Sequence, residues 1–117
     1  MKALVLEELK QPLQLQERPD PQPGPGEVVV RLEAAALNRR DYWITQGLYP
    51  GTTTPTVPGS DGAGVVSATG EGVDPGLQGA KVLVNPSKGW GDDPQAQGGD
   101  FEVLGMPADG TFATHLL

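Results

Sequence analysis

The sequence predicts a small, mainly β barrel with one or two short helices. Three observations predict it. Glycine and proline number 17 and 12, about a quarter of the 117 residues, with no glycine repeat, which excludes collagen and indicates dense turns. Short apolar runs recur between those turns, and only one segment carries helix-terminus signals.

The elements follow in order. Lys2 to Leu6 is short and apolar, a strand. Leu13 to Gln16 alternates with period two, the pattern of a half-buried strand. Pro19 to Gly26 holds four prolines that cannot donate to a ladder, so it is an extended connector; a proline-motif ligand for a partner is the weaker reading. Glu27 to Leu37 is the best strand, and its three valines suggest burial on both faces near its centre. Asn38 to Gln46 is the helix. Asn38 is a favoured N-cap, Asp41 stands where a capping-box acid would, and Gly47 is the stop. Leu48 to Gly59 is a loop. Gly62 to Thr69 is a strand that begins in glycines, Gly70-Glu71-Gly72 a turn, and Lys81 to Val84 another strand. Asn85 to Asp100 is a polar loop of the length usually reserved for function or mobility. Phe101 to Leu104 and Thr111 to Leu116 read as closing strands around a turn at Met106 to Gly110.

Composition removes several function classes. Leu, Ile, Val and Phe make up about 23% of the chain, enough for a modest core. Eight basic against fifteen acidic residues give a net charge of −7, without the basic stripe that a nucleic-acid binder needs. The same sign disfavours an anionic membrane surface. With no cysteine there is no disulfide, thiolate metal site or cysteine nucleophile, and one histidine excludes a histidine-rich metal site. No apolar run approaches a membrane span, the charged N-terminal segment is no signal peptide, and Asn85-Pro86-Ser87 is no glycosylation acceptor. A cytoplasmic protein fits these features.

Candidate chemistry concentrates around the helix. Asn38, Arg39, Arg40 and Asp41 put four polar groups at its start. They read either as a capped, solvated helix or as the edge of a cleft in which Tyr42, Trp43 and Tyr49 help hold a small polar substrate. Ser60 and Asp61 are a second polar pair, with no histidine nearby to activate the serine. The cluster Gly59-Ser60-Asp61-Gly62-Ala63-Gly64 runs into a strand, so it is no dinucleotide fingerprint; its glycines allow close backbone packing. His115 reads as a packed or solvent-facing residue, and Asp92, Asp93 and Asp100 as solvated.

The order of motifs is recognisable. MKALVLEE, P-x-P-G-P-G-E-V-V-V, A-A-L-N-R-R-D-Y-W-I-T-Q-G-L-Y-P, V-P-G-S-D-G-A-G-V-V, G-E-G-V, G-x-x-V and D-G-T-F-A-T-H resemble, across nearly the whole chain, the N-terminal half of the medium-chain dehydrogenase/reductases. The likeness is nearest to their zinc-independent quinone oxidoreductase and enoyl reductase branch. It implies a GroES-like, partly open β-barrel over residues 1–117, with the Rossmann cofactor domain absent from this chain. It also implies a substrate-side domain of a reductase that transfers hydride from NADPH or NADH to quinones, enones or related carbonyl compounds.

The resemblance assigns residues. Zinc-dependent relatives carry cysteine at the position of Asn38, and histidine and glutamate at those of Ser60 and Asp61; an amide and a hydroxyl are poor zinc ligands, so no metal is expected. Asn38, Asp41 and Trp43 are the expected catalytic residues, with Asp41 orienting or anchoring and Asn38 and Trp43 lining the nicotinamide. Tyr42, Tyr49, Ser60 and Asp61 are expected to face the substrate. Two departures stand out. Trp43 replaces a tyrosine of the branch and cannot donate a phenolic proton, and Ala80 replaces a common turn aspartate. A small-molecule substrate and a homodimer of the full-length protein complete the expectation. The alternatives are a stand-alone GroES-like binding module without catalysis, or a zinc-type alcohol dehydrogenase relative.

Overall fold

The computed structural model describes residues 1–117. In chain order the elements are β1 (Lys2–Val5), β2 (Gln14–Glu17), β3 (Val28–Ala36), α1 (Arg39–Thr45), β4 (Asp61–Thr69), a 3-10 turn (Pro75–Leu77), β5 (Lys81–Leu83), β6 (Ser87–Lys88), β7 (Glu102–Val103) and β8 (His115–Leu116). A four-stranded sheet ordered β5-β4-β3-β8 is flanked by the hairpins β1-β2 and β6-β7, so the barrel is open, as the sequence predicts. No helix is long and apolar enough to cross a membrane.

The long antiparallel pair β3-β4 is the backbone of the fold. Its register slips twice, once between Val29 and Val30 and once between Leu32 and Ala34. At the first slip Ser67 is the extra residue on β4, and its hydroxyl donates to the Val29 carbonyl (3.2 Å). Such a bulge rotates the strand locally, which is how the adjacent residues Val29 and Val30 are both buried. Burial on both faces is confined to that point: Ala34, Ala35 and Ala36 are exposed. Gly64 shows why glycines open β4. A Cβ there would lie 2.2 Å from the Arg31 carbonyl oxygen of the neighbouring strand.

The half-buried reading of β2 is corrected. β1 turns Ala3 and Val5 into a core cluster with Val57, Phe112 and Ala113. Leu4 therefore points outward, and the register places Leu15 directly opposite Leu4. Residues paired across a ladder share a face, so Leu15 is 67% exposed, and of β2 only Gln16, opposite Ala3, is half-buried. The buried identity of β1 outweighs the alternation of β2.

The C-terminal closing strand is also shorter than predicted, because its backbone changes partners. Thr111 and Phe112 N–H donate to the Gly59 and Pro58 carbonyls, Thr114 N–H donates to the Lys2 carbonyl, and His115-Leu116 then pairs with β3. The segment thus stitches the β1-β2 hairpin to the main sheet. The predicted loop at 85–100 contains β6, and its exposed tip folds on itself. There Trp90 meets Phe101 edge-on (5.4 Å), and its indole N–H donates to the Asp93 carbonyl (3.0 Å). Asp92, Asp93 and Asp100 are exposed, as read.

Two glycine substitutions separate close packing from simple chain flexibility. Gly64→Ala is expected to cost about 2 kcal/mol or more, since backbone rather than a flexible side chain must move. Gly99→Ala, with open space around it, is expected to stay within about 0.5 kcal/mol of the parent. Urea denaturation of the two variants checks this, and equal effects would contradict the close approach of β3 and β4.

Candidate functional site

The site is built around α1, a helix of only seven residues. Too short to persist alone, it depends on its ends and on one buried side chain. Asn38 is the N-cap, in extended conformation. At the other end Gly47 takes φ +69° and donates to the Ile44 carbonyl (3.0 Å), while Leu48 N–H reaches the Trp43 carbonyl (2.9 Å). These two bonds form a Schellman stop, where the left-handed backbone requires glycine. Ile44 is fully buried with Leu6 and Met106, and Leu13 and Tyr49 pack on that cluster.

Asp41 fastens the helix. It is 4% exposed, and both carboxylate oxygens accept backbone hydrogen bonds, Oδ2 from Asn38 N–H (2.8 Å) and Oδ1 from Gly59 N–H (3.1 Å). The first bond is the acidic half of a capping box. The second crosses to the turn that leads into β4. Gly59 sits at φ +99°, and a Cβ there would run into Phe112 and Thr111, so no other residue fits without displacing them. Asp41 thereby sets the distance between Asn38 and the pair Ser60-Asp61.

That pair divides its labour. Asp61 is exposed, and its Oδ2 accepts from the Asn38 side-chain amide (2.8 Å). Ser60 is 6% exposed and does not face an open cleft, which corrects that expectation; its hydroxyl donates to the Leu104 carbonyl (2.8 Å) and accepts from Arg40 Nη1 (3.1 Å). The cause is Arg40. Its Nη1 also donates to the Leu104 carbonyl (3.1 Å), its Nη2 donates to the Met106 carbonyl (2.6 Å), and its guanidinium carbon lies 5.0 Å over the Tyr49 ring. Tyr49 is half-buried and serves as a platform for Arg40. Tyr42 (57% exposed) and Trp43 (42%) present their rings outward, edge-on to each other at 5.1 Å.

So the fold gathers Asn38, Asp41, Ser60 and Asp61 into one polar neighbourhood, places Tyr49 against it through Arg40, and leaves Tyr42 and Trp43 exposed. Arg40, named in the sequence only as one of the polar groups at the helix start, is the residue whose part the sequence did not assign. The available signal was electrostatic: a cation in the first turn of a helix opposes the helix dipole, so something other than the helix must hold it.

The donor set does not fit zinc. No group of three His, Cys, Asp or Glu side chains is gathered anywhere in the chain. Of the three positions that matter, Asn38 offers an amide already joined to Asp61, and Ser60 a hydroxyl already bonded on both sides. Neither supplies the thiolate or imidazole that tetrahedral zinc favours.

Comparison with known proteins matches residues 24–117 to the family model of the alcohol dehydrogenase GroES-like domain. The chain belongs to that family. Among curated relatives of this GroES-like domain, a zinc-type alcohol dehydrogenase-like protein of Leptosphaeria maculans is 46% identical over 87 residues, 72% of this chain and 24% of the relative. An acryloyl-coenzyme A reductase of Sulfurisphaera tokodaii is 40% identical over 83 residues, 71% of this chain and 25% of the relative. An alcohol dehydrogenase from E. coli CFT073, described as short chain and solved with NADH, superposes with a TM-score of 0.89 at 32% identity; the match covers 99% of this chain and 35% of that one. The GroES-like chain thus spans about a quarter of the length of these curated relatives and about a third of that solved structure.

The role of Asp41 as a strut has a measurable cost. Asp41→Ala leaves the Asn38 and Gly59 amides without their acceptor, and loss of a cap plus a buried unsatisfied donor is expected to destabilise the domain by about 3 kcal/mol. Asp41→Asn keeps one accepting oxygen and is expected to lose roughly half of that. Denaturation midpoints check both; a loss under about 1 kcal/mol for Asp41→Ala would remove the strut.

Proposed function

We propose that this domain is the substrate side of an NAD(P)H-dependent, zinc-independent oxidoreductase that reduces quinones, enones or related activated carbonyl compounds. The observation that carries the reading is the donor set at the Asn38, Ser60 and Asp61 positions: an amide bonded to a carboxylate and a hydroxyl bonded to Arg40 and to the Leu104 carbonyl, with neither thiolate nor imidazole. Membership of the GroES-like family and the NADH-bound structural neighbour support a nicotinamide-dependent oxidoreductase, and the acryloyl-coenzyme A reductase relative supports a conjugated substrate. NADPH is the preferred cofactor of this reading, in a cytoplasmic homodimer.

A bound nicotinamide cofactor would supply the hydride. The chain's own contribution is positional. Trp43 offers a flat, partly exposed ring against which a nicotinamide or a conjugated substrate can stack. Asn38, at the surface and held by Asp61, offers an amide for a substrate oxygen. Asp41 holds the helix that carries both, and is a positioning residue. In this reading the proton that completes the reduction comes from solvent. Hydride transfer in this arrangement relies on alignment more than on acid catalysis.

The test uses the full-length protein. Oxidation of NADPH and NADH is followed with a quinone, an enone and an acryloyl thioester, with and without a chelator, alongside zinc content. The expected result is turnover that the chelator leaves unchanged. Alcohol oxidation that requires stoichiometric zinc would overturn the reading, and absence of cofactor binding would favour a non-catalytic binding module. Trp43→Ala is expected to raise the substrate KM by up to about tenfold, the value of one lost stacking contact, with the fold intact by circular dichroism.

A further inference from the structure

We propose that the Arg40 guanidinium is a built-in cation that keeps the Asn38-Ser60-Asp61 position closed to a divalent metal. The inference rests on the zinc-independent reading and names the group responsible for it.

The guanidinium is surrounded as a bound cation would be. Three oxygens accept from it, those of Ser60, Leu104 and Met106, and the Tyr49 ring lies beneath it. These groups satisfy positive charge by hydrogen bonds and by the face of an aromatic ring. The guanidinium places a positive charge there. A metal ligated from position 60 would lie beside that charge and would have to displace the bond between Arg40 and Ser60.

Two further observations separate this role from simple packing. Arg40 sits in the first helical turn, where the dipole disfavours a cation, so the three oxygens and not the helix hold it. Its Nε is buried without any partner. A side chain chosen only to fill the space between α1 and residues 104–106 would be better apolar, since an unpaired buried donor is unfavourable. Closure therefore has two layers, the replaced donors and the resident charge, and restoring the donors alone is not expected to restore metal binding.

The test compares two variants of the full-length protein. The first is Asn38→Cys/Ser60→His/Asp61→Glu with Arg40 kept; the second adds Arg40→Ser. Both are equilibrated with zinc, freed of loose metal and assayed for bound zinc, with cobalt absorption as a second readout of thiolate and imidazole ligation. The expected result is about one zinc per chain in the second variant and at least roughly tenfold less in the first. Equal zinc in both variants would overturn the inference, as would a folded second variant that takes none. Should the second variant fail to fold, the same pair is made with Asp61 left in place, which retains a carboxylate donor with one change fewer. The parent protein is measured in parallel. Stoichiometric zinc there would sink the zinc-independent reading itself, whereas a metal-free parent with equal zinc in both variants would sink only the part assigned to Arg40.

Discussion

One buried carboxylate sets the geometry on which the rest of the site depends. Asp41 accepts from Asn38 at the start of its own helix and from Gly59 in the turn before β4. A seven-residue helix has little stability of its own, and the turn at Gly59 has a backbone that few residues adopt. Joined through one side chain, each limits the freedom of the other. The amide of Asn38 can then meet Asp61, and Ser60 can face Leu104, without either strand or helix supplying the alignment alone.

Arg40 complements this strut with the opposite charge one residue earlier. Asp41 ties the helix toward β4, whereas Arg40 ties it toward the Leu104–Met106 turn. Adjacent residues of a helix point about a hundred degrees apart, so a consecutive cation and anion reach two different neighbours and clamp the helix from two sides. The polar groups of the site fall into two classes as a result. Asp41, Ser60 and Arg40 are engaged within the protein, while Asn38, Asp61 and Trp43 remain at the surface where a ligand could meet them.

Much of the fold was legible in local signals. The caps of α1, the glycine-led β4 and the extended proline connector each have a short-range physical cause, and each lies where the residues indicate. The misreadings have long-range causes. Leu15 faces outward because its partner strand buries the opposite face, a fact invisible in the residues of β2 themselves. The strand predicted over Thr111 to Leu116 divides its backbone bonds between segments far apart in the chain. Within the site, Asn38 and Asp41 announced themselves through cap chemistry. Arg40 did not, because its partners are main-chain carbonyls more than sixty residues away, and carbonyls leave no mark in a sequence.

The partner exchange at residues 111–116 also bears on how the chain reaches this structure. β1 lies far before the closing segment in the chain, yet its outer-edge amides and carbonyls find their partners in Phe112 and Thr114. Its core neighbours include Phe112 and Ala113. During synthesis the β1-β2 hairpin must wait, with Ala3 and Val5 only partly covered, until the far end of this segment leaves the ribosome. An isolated two-stranded hairpin is marginal in water, and contacts of such separation form slowly because the intervening loop must close first. The β3-β4 pair, whose strands are joined by one helix and a loop, can form before them. By contact separation the β3-β4 pair is therefore expected to be secured before the β1-β2 hairpin.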